Sequence, residues 1–119
     1  MKKITYLLIL SICFSFSFTQ TEDSYQMTVT KISDAYNAKD ANQLFELFSS
    51  DLQSSFTLDK VQSFITDNQT KKGKMGESSF LMDDEGSKRY LVEFENSSTI
   101  LVLKLSPDNK ITQLSLEEY

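Results

Sequence analysis

The spacing of apolar residues changes once along this chain, and that change limits the folds open to it. Between residues 24 and 65 apolar side chains recur every three or four positions. Tyr25, Val29, Ile32 and Tyr36 occur at intervals of four, three and four, with Ala35 beside them, which is one face of an amphipathic helix. After the polar stretch "DNQTKKGKMG" the period shortens. "ESSFLMD", "KRYLVEFE", "STILVLKLS" and "KITQLSLEE" are short and rich in β-branched and aromatic residues, as strands are. Helices followed by strands predict an α+β domain, in which a helical layer covers one face of an antiparallel sheet.

Local signals predict where the elements break. "NAKD" at 37–40 reads as a turn, and Asp40 stands three residues before Gln43, so its carboxylate is placed to accept from free amides at the next helix start. Leu44, Phe45, Leu47 and Phe48 form that helix's stripe, and Ser49-Ser50-Asp51 is expected to close it. Thr57 or Asp59 caps a third helix carrying Val61, Phe64 and Ile65. Asp83-Asp84-Glu85-Gly86, Glu95-Asn96-Ser97-Ser98 and Ser106-Pro107-Asp108-Asn109 separate the strands as hairpin turns do.

The N-terminus reads differently. Met1-Lys2-Lys3 precedes the apolar run "ITYLLILSICFSFSF" at 4–18, which falls short of the roughly 20 apolar residues of a membrane span and matches an export signal. Ser17 and Thr19 suit the −3 and −1 positions, so residues 1–19 are expected to be removed and the periplasmic or secreted domain to begin at Gln20. "LSIC" loosely resembles a lipoprotein site at Cys13, but Ile12 is bulky and the apolar run continues past the cysteine, so no stable membrane anchor is expected.

Composition then excludes whole classes of chemistry. The chain from Gln20 carries ten basic and seventeen acidic side chains, a formal charge of −7, and lacks the basic footprint of a nucleic-acid partner. Histidine is absent and the single cysteine is Cys13. A domain from Gln20 onward therefore has no thiolate nucleophile, imidazole base or disulfide, and no soft metal ligand. No cofactor or metal is expected. Asp83, Asp84 and Glu85 lack the alternating spacing of a calcium loop, and "KKGK" at 71–74 reads as a solvated loop.

Tyr36, Asn37, Lys39, Asp40, Leu44, Phe48 and Ser49, in "AYNAKDANQLFELFSSDLQSSFTLDKVQSFI", carry a resemblance. They resemble the nuclear transport factor two-like (NTF2-like, cystatin-like) cone domains. More narrowly, they resemble an uncharacterised secreted family found ahead of bacterial β-lactamase-type serine hydrolases. The resemblance covers roughly residues 24–119, implies three N-terminal helices on a curved four-stranded sheet in a single domain of residues 20–119, and brings no catalytic residue. A hydrolase domain would need a Ser-x-x-Lys motif on a much longer chain.

The aromatic residues admit two readings. Helical spacing predicts that Tyr25, Tyr36, Phe45, Phe48 and Phe64 fill the core, and strand alternation turns Tyr90 and Phe94 toward the helices; in a cone the seven could instead line a ligand pocket. Ketosteroid-isomerase-like enzymes share the cone and use an aspartate base with an oxyanion hole. Asp34, Asp40, Tyr25 and Tyr36 are the residues of the right types here, although Asp40 is better explained as a cap. The expected function is a non-catalytic binding or accessory domain, with a small-molecule-binding or isomerase-type cone as the alternative. On the sheet face away from the helices Leu91, Ile100, Val102 and Ile111 interrupt the polar pattern, and an apolar patch there is expected to pair with a second copy or a partner domain.

Overall fold

The computed structural model describes residues 22–118; the expected signal segment, with Cys13 and the cut before Gln20, lies outside them. The fold is α+β, with four antiparallel strands in one open sheet. Helices α1 (Glu22–Asn37), α2 (Ala41–Glu46), α3 (Ser50–Ser55) and α4 (Leu58–Lys72) precede strands β1 (Met75–Asp84), β2 (Ser87–Phe94), β3 (Ser98–Leu105) and β4 (Ile111–Glu118). The strands form a meander in chain order. No helix of the described residues is long and apolar enough to cross a membrane.

The local rules hold where the governing contacts are local. The α1 stripe of Tyr25, Val29, Ile32, Ala35 and Tyr36 is buried. Asp40 caps α2, its Oδ1 accepting from the Gln43 amide at 3.1 Å. Glu85 and Gly86 form the β1–β2 turn with φ of 51° and 91°, the positive angles that a two-residue hairpin requires. Among the described residues four helices precede the sheet, where the apolar pattern predicts three. Ser49 does not close α2: its Oγ accepts from the Leu52 amide and caps the short α3. Thr57 precedes α4 but makes no side-chain cap bond.

The core lies between the α1 and α4 stripes and one face of the sheet. Tyr90, Val92 and Phe94 of β2 and Leu101, Leu103 and Leu105 of β3 point into it. β4 breaks the alternation. Its pairing runs Gln113↔Lys104 and then Ile111↔Leu105, two positions against one, so a bulge at Thr112 turns Ile111 to the same face as Leu114. Ile111 is fully buried. The stretch between α2 and α3 locks it there, with Ser49 N–H donating to Ile111 O and Ile111 N–H to Leu47 O.

The expected outer-face patch therefore does not form. Ile111 belongs to the core, and Val102 keeps only 2% of its surface exposed. Arg89 is the register partner of Val102, and its guanidinium reaches Asp84 on β1 at 3.0 Å and Glu117 on β4 at 2.6 Å. To join those strands the side chain must cross β3, and its methylene stem covers the valine as long basic side chains do. Leu91 and Ile100 remain, both half-buried.

Candidate functional site

The seven candidate aromatics divide between two regions of one packed interior. Tyr36 meets Phe94 edge-on, with centroids 5.7 Å apart, so these two rings touch where the pocket reading needs a space. Phe45, Phe48, Phe56 and Phe64 form a second chain of contacts at 6.1, 5.1 and 5.7 Å. Tyr25, Tyr36, Phe48, Tyr90 and Phe94 are buried, and Phe45 and Phe64 pack against them. Phe56 completes this chain although no sequence signal points to it: it lies between helices, where no periodic stripe marks it.

Both tyrosine hydroxyls are committed to backbone. Tyr25 Oη accepts from the Leu105 amide at 3.2 Å, and Tyr36 O–H donates to the Gly73 carbonyl at 2.9 Å. Burial pushes the Tyr36 phenol up to about 12. A phenol kept neutral by the fold ionises first in the unfolded chain, at about pH 10, so stability should be intact below pH 10 and fall as pH rises toward 12. Urea midpoints at half-unit steps from pH 9 to 12 should decline more steeply for the wild type than for Tyr36→Phe; parallel declines would refute the assignment.

Side chains at the same corner tie α1 to α4 and β1. Asn37 Nδ2 donates to Met75 O at 3.0 Å, and Asn37 Oδ1 accepts from Met75 N–H at 2.8 Å, so the amide pairs with the start of β1 as a strand would. Gln69 on α4 donates to the Tyr36 carbonyl. The residues that read as a turn motif are thus also a latch between α1, α4 and β1.

Of the two aspartates considered for acid–base work, Asp40 is occupied as the α2 cap. Asp34 is exposed on α1 and lines a cleft of about 420 Å³ between α1 and β1, with Gln26, Thr30 and Ser33 on one wall and Gly76, Glu77 and Ser78 on the other. Gly76 allows the strands to close behind it, since a Cβ there would stand 2.9 Å from the Glu93 carbonyl oxygen. None of the seven aromatics lines this cleft; Val29, Met75 and Val92 supply its apolar floor. No ion pair is made by Asp34 or Glu77 among the described residues.

The acidic hairpin has partners of its own. Asp83 accepts from Lys88 Nζ at 2.6 Å and Asp84 from Arg89, and no group of carboxylates suited to a metal ion occurs among the described residues. Lys88 Nζ also lies over the rings of Tyr25 and Phe80, 5.2 and 5.1 Å from their centroids.

One further feature had no signal in the patterning. β1 is an edge strand, and Phe80, Leu81 and Met82 along it are 41, 43 and 50% exposed. A bulge at Leu81 puts consecutive apolar side chains into solvent. Comparison with known proteins finds no matching family model, no matching curated protein and no matching solved structure.

Proposed function

We propose that this chain is an exported accessory domain of the NTF2-like kind that works by binding a partner protein and carries no catalytic centre of its own. The packing of the interior supports this reading most: Tyr36 and Phe94 fill against each other the space in which a cone enzyme would hold its substrate. Of the two tyrosine hydroxyls considered for an oxyanion hole, Tyr36 gives its proton to the Gly73 carbonyl, and Tyr25 is buried with its oxygen against the Leu105 amide. Export rests on the N-terminal sequence alone.

The isomerase-type alternative keeps one observation in its favour, Asp34 beside a cleft whose volume lies within the range of small-molecule sites. An aspartate base in such a site would remove a proton α to a carbonyl. Incubation with a β,γ-unsaturated ketone in deuterated buffer, followed by NMR, should give exchange no faster than buffer. Exchange accelerated by the wild type and abolished by Asp34→Asn would replace the accessory reading with the catalytic one.

A further inference from the structure

We infer that the free edge of β1 takes up an extended segment of a partner protein, bearing basic and apolar side chains, as a fifth strand of the sheet. This rests on the accessory reading above and names how its partner would be held. At the start of β4 the edge is covered, because Phe48 bridges Ile111 and the flanking residues complete its hydrogen bonds. β1 runs for ten residues; Asn37 holds the backbone of Met75 at its start, and from Gly76 onward the strand pairs with β2 alone among the described residues. A strand in that position offers a row of backbone donors and acceptors to whatever arrives, and added strands bind through those groups while side chains select the sequence.

Charge decides between occupants. A second copy run antiparallel about Phe80 and Leu81 would set Glu77 of each copy opposite Asp84 of the other, two like-charged pairs within one short ladder. A segment carrying lysine or arginine meets the reverse situation. Glu77 on the strand and Asp34 across the cleft make no ion pair among the described residues, and both line the hollow into which an added strand's side chains would project. Phe80, Leu81 and Met82 supply apolar contact farther along. The chain as a whole carries a net charge of −5, which speeds encounter with a basic segment and opposes self-association.

The probe is a fluorescent eight-residue peptide of alternating lysine and valine, with two controls. One replaces lysine by glutamate; the other keeps the lysines but carries N-methyl groups on alternate amides, so it retains charge and apolar surface while losing half its donors. Anisotropy titrations should show the first peptide binding at least tenfold more tightly than either control. Glu77→Lys and Leu81→Lys, both at exposed positions, should each weaken it tenfold or more while circular dichroism and the urea midpoint stay unchanged. Equal binding of the N-methylated peptide, indifference to both substitutions, or no binding at all would overturn the inference. So would a wild-type dimer in sedimentation equilibrium that Leu81→Lys dissociates, since the strand would then cover itself. Failure of peptide binding with ketone exchange still absent removes the β1 edge alone, whereas exchange dependent on Asp34 removes the accessory reading.

Discussion

Phe48→Ala should lower stability by about 4 kcal/mol, the middle of the range for truncating a buried phenylalanine. The ring is 2% exposed and stacks against Phe45 and Phe56, while its backbone bridges Ile111. Removing it opens a void where the helices meet the start of β4, and the residues around it are held by hydrogen bonds that resist collapse. Small domains have roughly 5–15 kcal/mol in total, so the variant should melt roughly 20 °C lower or fail to fold. Phe45→Ala, half-buried, should cost clearly less. Urea denaturation with an unchanged m-value is the measurement. A cost for Phe48→Ala below about 1.5 kcal/mol would mean that the ring faces an unfilled hollow, and the pocket reading of the aromatics would return.

Asn37→Ala should cost about 3 kcal/mol with no loss of apolar packing. The amide satisfies both the N–H and the C=O of Met75, in a half-buried position where stranded backbone groups cost about 1–3 kcal/mol each. The effect should be localised first: amide exchange at Met75 should accelerate before global unfolding does. Asn37→Asp sharpens the test. A carboxylate still accepts from the Met75 amide but faces its carbonyl with no proton to give, so the folded state should favour the protonated acid and raise its pKa. Its stability contribution is then present below the unfolded carboxyl's pKa and lost as pH rises through the folded one, the reverse of the usual aspartate behaviour. An Asn37→Asp variant whose stability is flat or falls on acidification relative to wild type would show that Asn37 does not donate to Met75.

These two residues also mark how far the sequence can be read. Phe48 stands in a helical apolar stripe, and that stripe accounts for its burial. Asn37 stands in a polar break and reads as a turn residue, yet its amide spans 38 positions to reach Met75. Whatever depends on neighbours three or four residues away was legible: the α+β class, the α1 stripe, the Asp40 cap, the hairpin at Gly86 and the order of four strands. Ser49 reads as a stop because serine suits either end of a helix, and α3 is too short for an apolar period to announce it.

The candidate surfaces were less legible, for one physical reason. Side chains alternate along a strand, so a single extra residue moves everything on one side of it to the other face. The bulge at Thr112 does this to Ile111, and the bulge at Leu81 does it between Phe80 and Met82. Such bulges are set by which strands pair and by what covers their edges, and the sequence of one strand does not encode that. Val102 keeps to the alternation as expected and is buried all the same, by an arginine that spans from β1 to β4. Apolar periodicity and turn chemistry thus suffice for the class of fold, for helices ahead of four strands and for which helix face is buried. Which face each strand presents, and where an edge stays open, follow instead from contacts between residues far apart in the chain.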